Sequence, residues 1–242
     1  ENLALHRSDI RLIEQAAAVN QNVIVVLQAG SAVTMDGWLD KVKGVIMAWY
    51  PGMEGGNALA DIIFGVVNPS GKLPFVWPKS LDQLPPFDNT SKEVEYGYYH
   101  GYRWFDKKGL TPQYPFGFGL SYTTWKYEAL SASATKVGPD GAIDFEVRVT
   151  NTGAFAGEEV VQLYIGAPGK ALDRPAKDLR GFGRVKLGPG ESGSVKMSVK
   201  VKDLAFWCMK DNCWKVEPGE YKVMAGPNSA DLPLTASFTV KA

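Results

Sequence analysis

The sequence predicts an α/β region followed by an all-β region, because the residue pattern changes twice along the chain. Residues 1–78 contain apolar runs without alternation between stretches of helical spacing, as parallel strands with helical crossovers do. Residues 120–242 contain short alternating runs separated by turn residues, as antiparallel sandwiches do. Residues 79–119 are rich in proline, aspartate, tyrosine and glycine and predict an irregular linker. The expected fold is a partial α/β sandwich, with a parallel sheet flanked by helices, plus a C-terminal immunoglobulin-like β-sandwich.

The first 78 residues predict helices and strands in alternation. Parallel strands this apolar need neighbours on both faces and at both edges, and the elements available are too few to supply them. We therefore expect this region to be the second half of a larger α/β domain. The predicted elements are a helix capped by Ser8 and running to Val19, a strand Val23–Leu27, a helix over Met35–Val42, a strand Gly44–Tyr50, a helix Ala58–Phe64 ended by Gly65, and an extended segment Leu73–Trp77.

The sandwich is expected to contain about seven strands, which is typical of the immunoglobulin-like architecture. Each predicted strand is bounded by turn residues such as Gly138-Pro139-Asp140-Gly141 and Gly188-Pro189-Gly190. The predicted strands are Tyr127–Ala134, Ala142–Asn151, Glu158–Gly166, Lys177–Lys186, Gly193–Val201, Phe206–Val216, Gly219–Ala225 and Thr235–Val240.

The composition is that of a globular protein, with 45% hydrophobic and 21% charged residues among 242. Lysine plus arginine and aspartate plus glutamate both number 26, so there is no electrostatic reason to expect a nucleic-acid or membrane partner. No apolar run has the length that a membrane-spanning helix needs. The chain starts without methionine inside ordered-looking sequence, and we expect it to be a fragment. Nothing in the sequence indicates an oligomeric state.

Four motifs resemble the C-terminal half of glycoside hydrolase family 3, the family of many β-glucosidases. They are PGMEGGNALADIIFG at 51–65, NPSGKLP at 68–74, GYRWFD at 101–106 and YPFGFGLSYT at 114–123. Further on, VTNTG at 149–153 and LGPGES at 187–192 resemble the fibronectin type III-like domain that ends many members. One departure is Tyr96, where many members carry glutamate before the glycine.

The resemblance implies retaining hydrolysis of terminal β-D-glucosyl residues by two carboxyl groups about 5 Å apart. In the family the nucleophile is an aspartate of a preceding (β/α)8 barrel, and nothing here resembles its motif. Residues 2–9 align with the tail of the loop that carries the acid/base glutamate, so that glutamate is expected just before Glu1. We therefore expect no catalytic residue in this chain; the alternative of Glu1 as the acid/base places it after the expected position.

The same resemblance implies a missing N-terminal barrel part as partner, possibly a separate chain, and a β-glucoside or oligosaccharide as substrate. No cofactor is implied. Within the family, a β-xylosidase or an exo-β-glucanase is an alternative. A non-catalytic carbohydrate-binding or scaffold module is an alternative from another class, suggested by the sandwich and the many aromatic residues.

Trp49 and Glu54 are the candidate substrate-binding residues. Glu54 follows the carboxyl end of the predicted strand Gly44–Tyr50, where α/β sheets place ligands, and Trp49 lies within the last two residues of that strand. Pyranose rings stack on aromatic faces, which suits Trp49. The alternatives are core packing for Trp49 and capping of the following helix for Glu54. No metal site is predicted, since His6 and His100 lack companions at ligand spacing.

Cys208 and Cys213 are spaced as opposing positions across a hairpin turn, where a disulfide can form. Two unpaired thiols are the alternative. A disulfide would indicate a secreted or periplasmic protein. The tripeptide Asn89-Thr90-Ser91 is a glycosylation sequon in a loop-like segment, and it does not decide the location.

Overall fold

The structure is a computed structural model that describes residues 3–88 and 90–241. It divides into two compact units that interleave along the chain. The first unit runs to Val67 and includes Val76–Tyr96 and Leu110–Tyr114; the second consists of Asn68–Phe75, Gly97–Gly109 and the chain from Pro115 onward. These units follow contacts rather than continuous segments, so the boundaries expected at residues 78 and 119 stay predictions.

Among the described residues of the first unit, the regular elements are two α-helices and two parallel β-strands. The strands pair in register from Ile24↔Gly44 to Leu27↔Met47, which confirms the predicted parallel arrangement. A parallel pair requires a crossover between its strands, and residues 28–43 supply it. The elements are α1 (Arg7–Val19), β1 (Ile24–Leu27), β2 (Gly44–Met47) and α2 (Gly55–Ile63).

The start of α1 and the end of α2 have local causes. α1 is capped by His6 rather than by the predicted Ser8: the Ser8 amide donates to His6 Nδ1 at 3.4 Å, a long capping bond. α2 ends before Gly65, which has φ +76°, so the predicted glycine stop is confirmed.

Two predicted elements within residues 1–78 are wrong. Instead of a helix over Met35–Val42 there is a single 3-10 turn at Leu39–Lys41, because Gly37 at φ +80° interrupts a continuous helical backbone. The apolar spacing that suggested the helix reflects burial instead, since Trp38 is 0% exposed. The predicted extended segment ending at Trp77 forms one isolated bridge to Tyr114 rather than a strand.

The second unit is a β-sandwich with one added helix. Its sheets follow the orders β4-β12-β11-β6-β7 and β3-β5-β8, with β9 and β10 as a separate hairpin. The elements are α3 (Gly101–Lys108), β3 (Trp125–Ala132), β4 (Lys136–Val137), β5 (Ala142–Asn151), β6 (Gly157–Gly166), β7 (Asp178–Leu187), β8 (Ser192–Lys200), β9 (Phe206–Cys208), β10 (Cys213–Lys215), β11 (Gly219–Gly226) and β12 (Leu234–Val240).

The sandwich core consists of the inward-facing residues of both sheets. Along β5, Ile143, Phe145, Val147 and Val149 are each at most 1% exposed, alternating with solvent-facing residues as the sequence predicts. From the other sheet, Phe238 lies 6.1 Å from Phe145 between ring centroids. The predicted order of the two regions, α/β first and an all-β sandwich second, is confirmed.

Three details of the second unit differ from the prediction. The single strand expected over Phe206–Val216 is instead the β9–β10 hairpin that the spacing of Cys208 and Cys213 indicates, with Asn212 in its loop at φ +50°. Strand β4 pairs in parallel with β12, so this sheet is mixed. The linker predicted as irregular contains the helix α3.

Candidate functional site

The loop that follows β2 has a left-handed residue at its start. Trp49 has φ +53°, a conformation that bulky residues adopt rarely and at a cost of roughly 1–3 kcal/mol. This turn ends β2 at Met47, three residues before the predicted end, and redirects the chain toward Pro51 and Gly52. The Trp49 side chain is half-buried, so it is neither a fully buried core residue nor fully open to solvent.

The loops at the carboxyl ends of β1 and β2 meet at this turn. Ala48 N–H donates to the Leu27 carbonyl at 2.8 Å, which continues the parallel ladder by one residue. The Tyr50 hydroxyl lies against Gly30, where a Cβ atom would have no room. Tyr50 is nevertheless 81% exposed, so its ring presents an open aromatic surface at this edge of the sheet. Ligands of α/β sheets bind at such edges.

Glu54 lies at the predicted place, at the N-terminus of α2, but it does not cap the helix. It occupies the N-cap position without a side-chain bond to the backbone, and its Oε2 accepts from Asn57 Nδ2 at 2.6 Å. Its exposed carboxylate can accept hydrogen bonds from hydroxyl groups of a ligand. It is the only carboxylate in the loop 49–57, whereas glycoside hydrolysis takes two.

The NPSGKLP motif belongs to the second unit and is held there by Asn68. Its Oδ1 accepts from Ser121 Oγ at 2.9 Å and from the Tyr122 amide at 2.8 Å, while its Nδ2 donates to the Ala156 carbonyl at 2.9 Å. One side chain therefore joins this motif, the end of the YPFGFGLSYT motif and the sandwich. The sequence places Asn68 in the NPSGKLP motif but gives no sign of this role.

A buried ion pair fixes the same motif a few residues later. Lys72 Nζ lies 3.2 Å from Glu159 Oε2, with side chains 13% and 2% exposed. The Tyr127 hydroxyl donates to the other oxygen of Glu159 at 2.8 Å. Because the partners are 87 residues apart in sequence, no local pattern could have predicted the pair.

The GYRWFD motif forms α3, which also belongs to the second unit. Arg103 Nε lies 2.5 Å from Asp178 Oδ1 at the start of β7, and the Tyr102 hydroxyl accepts from the Leu179 amide at 2.9 Å. The Tyr102 ring meets Tyr164 edge-on, with 5.8 Å between centroids. The motif therefore packs a helix against the sandwich.

Tyr127 predicts how stability depends on alkaline pH. Burial, with the neighbouring charge of Glu159, raises the pKa of Tyr127 above its usual value of about 10. Above pH 10 the unfolded chain loses the phenolic proton while the folded chain keeps it, so this contribution to stability is present below pH 10 and is lost as pH rises. Tyr127→Phe should reduce the downward slope of unfolding free energy by about 1.4 kcal/mol per pH unit.

Urea unfolding of wild type and Tyr127→Phe at pH 7 and at several values above pH 10 measures this slope. Tyr127→Phe also removes the hydrogen bond to Glu159, which changes the unfolding free energy at every pH. The comparison therefore uses the pH slope of the unfolding free energy and not its value at pH 7. Identical slopes would contradict the assignment.

Both cysteines are free thiols in the structure, and a disulfide between them stays a prediction. Cys208 and Cys213 are opposed in the hairpin register, which confirms the predicted placement. The Cys208 thiol donates a hydrogen bond to Asp211 Oδ2 at 3.0 Å. The expected secreted or periplasmic location likewise stays a prediction.

Glu1, the alternative acid/base, and Asn89 of the sequon lie outside the described residues. Within residues 3–88 and 90–241, no group of three or more histidine, cysteine, aspartate or glutamate side chains is arranged to hold a metal ion. In the same residues, no helix combines the length and apolar character needed to cross a membrane.

Comparison with known proteins finds family matches in two parts of the chain. Residues 1–122 match the glycosyl hydrolase family 3 C-terminal domain, and residues 159–229 match the fibronectin type III-like domain. β-Glucosidase BoGH3A of Bacteroides ovatus is 40% identical over 94% of this chain and 32% of its own length. An exo-alpha-(1->6)-L-arabinopyranosidase of Bifidobacterium breve is 40% identical over 100% of this chain and 32% of its own. The crystal structure of β-D-glucoside glucohydrolase from Trichoderma reesei matches with a TM-score of 0.93 and 34% identity, over 100% of this chain and 37% of that one.

The fold and these matches define the chain as the C-terminal region of a glycoside hydrolase. It belongs to glycoside hydrolase family 3, and the resemblance drawn from its motifs is confirmed. The chain spans about a third of the length of the relatives and of the solved structure that it matches.

Proposed function

We propose that the whole protein is a retaining β-glucosidase and that this chain completes its substrate cleft. The observation that carries the proposal is the meeting of two carboxyl-end loops at Tyr50 and Gly30, next to a left-handed Trp49. Such strain persists where the surrounding structure over-determines it, and it concentrates at binding sites. Trp49 and Tyr50 supply aromatic surface for a pyranose ring, and Glu54 supplies a hydrogen-bond acceptor.

The catalytic carboxyl groups come from the rest of the protein in this proposal. Retaining hydrolysis takes a nucleophile and an acid/base about 5 Å apart. Among residues 49–57, the only carboxylate is that of Glu54, which accepts a hydrogen bond from Asn57. The role of the chain is to bind and orient the sugar, while the N-terminal barrel part supplies the nucleophile. Whether that part is the same polypeptide or a second chain is separately decided by denaturing mass spectrometry.

A β-glucoside is the favoured substrate, since BoGH3A and the Trichoderma reesei enzyme are named for this activity. The Bifidobacterium breve relative is equally identical and is named for an α-L-arabinopyranoside. Turnover of p-nitrophenyl β-glucoside, β-xyloside and α-L-arabinopyranoside by the complete protein separates these substrates. The non-catalytic module would turn over none of them. A secreted or periplasmic location remains a part of the proposal to be tested by cell fractionation.

Trp49→Gly should lower kcat/KM for p-nitrophenyl β-glucoside by about tenfold or more, because one aromatic sugar contact is lost. Glycine adopts φ +53° freely, so the backbone turn is retained. Trp49→Phe keeps an aromatic ring and should retain most of the activity. Steady-state kinetics of the complete protein is the measurement.

Phe87→Ala is the matched control, since Phe87 is an exposed aromatic residue of the same unit, 60% exposed, and lies outside the loop. Its kinetics should equal those of the wild type. Unchanged kcat/KM in a folded Trp49→Gly variant would remove Trp49 from the substrate site.

A further inference from the structure

The β9–β10 hairpin presents two exposed tryptophans side by side. Trp207 and Trp214 are direct partners in the strand register, with ring centroids 5.5 Å apart and ring planes at 73°. Trp207 is 41% exposed and Trp214 is 69% exposed, and Met209 in the hairpin loop is 85% exposed. Large apolar side chains clustered in water at one place indicate a binding surface more often than isolated ones do.

The hairpin is fixed from its opposite face. Side chains alternate along a strand, so Cys208 and Lys215 lie on the face away from the tryptophans. There, Asp211 Oδ2 lies 2.5 Å from Lys215 Nζ and 3.0 Å from Cys208 Sγ. These contacts tie the loop to both strands. The hairpin that carries the two tryptophans is therefore stabilised by contacts on its opposite face.

The tryptophan face carries no charged side chain in its strand positions. The positions two residues before Trp207 and two residues after Trp214 are Ala205 and Val216, and they share the same side of the strands. Among the described residues, no hydrogen-bond partner is found for either indole N–H. The face thus offers flat apolar rings and two N–H donors, a combination that suits a neutral ligand with both C–H and hydroxyl groups.

The size of the patch also favours a small ligand. The exposed parts of the two indoles amount to roughly 300 Å², given about 250 Å² for a whole tryptophan. A stable protein–protein interface takes about 800 Å² from each partner. Two indole rings with centroids 5.5 Å apart instead offer two adjacent stacking surfaces for neighbouring sugar units of an oligosaccharide.

We propose that the β9–β10 hairpin is an oligosaccharide-binding site, with Trp207 and Trp214 stacking against neighbouring units of a β-glucan. The choice of a β-glucan rests on the proposed function, whereas the preference for a neutral sugar chain rests on the hairpin itself. Binding here holds a long chain to the sandwich and raises the local concentration of its ends. The fibronectin type III-like domain thereby acquires a role in substrate capture.

Native gel electrophoresis of the complete protein, in gels containing hydroxyethylcellulose or laminarin, tests the proposal. We expect the polysaccharide to retard the wild type, and the apparent Kd to rise about tenfold or more in Trp207→Ala/Trp214→Ala. Phe182→Ala is the control, because Phe182 is an exposed aromatic residue of β7, 70% exposed, and its variant should migrate like the wild type. If the double variant does not fold by circular dichroism, Trp214→Ala alone is measured, since its side chain is the more exposed.

Equal retardation of the wild type and a folded tryptophan variant would overturn the proposal, as would a wild type that is not retarded. The latter is also the result if another part of the protein covers the hairpin. Turnover of p-nitrophenyl β-glucoside by the wild type reports on the proposed function separately. Retardation that depends on the tryptophans without turnover would keep this inference and remove the proposed function, and turnover without retardation would do the reverse.

Discussion

Glu159→Ala is expected to lower the free energy of unfolding of the second unit by about 3 to 5 kcal/mol, the usual cost of removing one member of a buried ion pair. The carboxylate is 2% exposed and lies 3.2 Å from the ammonium group of Lys72, itself 13% exposed. Without Glu159, the partner left to the Lys72 charge among residues 3–88 and 90–241 is the Gly119 carbonyl, at a long hydrogen-bond distance of 3.4 Å. The Tyr127 hydroxyl loses its acceptor at the same time.

Urea unfolding followed by near-ultraviolet circular dichroism measures the loss, because the sandwich contains buried aromatic residues. Hydrogen exchange should also become faster in Asn68–Phe75, the segment that carries Lys72 and is joined to the sandwich by this pair.

Glu158→Ala is a matched control, since the same change is made one residue away on the same strand. Glu158 pairs with Arg184 at 3.0 Å, but both side chains are open to solvent, at 38% and 54%. Surface pairs of this kind contribute about 0–1 kcal/mol. Equal destabilisation by the two alanine variants would contradict the buried-pair assignment.

The double variant Lys72→Met/Glu159→Met separates the loss of attraction from the burial of an unpaired charge. It removes both charges and fills their space with apolar side chains, and it should recover much of the stability lost in Glu159→Ala. A double variant as unstable as the single one would mean that packing, not the uncompensated charge of Lys72, limits this part of the unit.

Periodic burial is the part of the fold that the sequence predicts well. Strand β5 begins and ends where the alternating pattern does, at Ala142 and Asn151, because every second side chain is in the core. The same reasoning failed over Met35–Val42. There, buried Met35 and Trp38 have helical spacing, but the backbone between them turns at Gly37. Burial alone does not distinguish a helix from an irregular segment that packs well.

For the candidate site, the sequence indicates the location but not the local backbone. Glu54 follows a strand end in the sequence and lies at that edge of the sheet in the structure, as expected. The left-handed backbone conformation at Trp49 was not predictable, since the residue is not glycine or asparagine, the types that usually adopt it. Helix α3 was missed because contacts distant in sequence hold it, including Arg103 with Asp178. Long-range pairs leave no periodic signal in either segment.

Gly119→Ala is expected to destabilise the second unit by about 3 kcal/mol or more, by overpacking against backbone rather than side chain. A Cβ at Gly119 would lie closer to the carbonyl oxygen of Gly71 than real Cβ atoms approach an oxygen, and it would also press on Lys72 Cδ. The carbonyl cannot move away freely. Leu73 N–H donates to the Phe118 carbonyl and Gly117 N–H donates to the Leu73 carbonyl, both at 2.8 Å, so the two segments are locked together.

Gly138→Ala is the control for the effect of adding a methyl group to a glycine. Gly138 lies in an exposed turn of the same unit, and its Cβ would meet nothing within 4 Å. That substitution should leave the midpoint of urea unfolding nearly unchanged. If both variants unfolded at the wild-type midpoint, the close contact between the NPSGKLP and YPFGFGLSYT motifs would not limit stability. A loss confined to Gly119→Ala would instead show that these two motifs have a shared structural purpose, which is to hold residues 68–75 against the sandwich, separate from the sugar contacts proposed for the loop at Trp49.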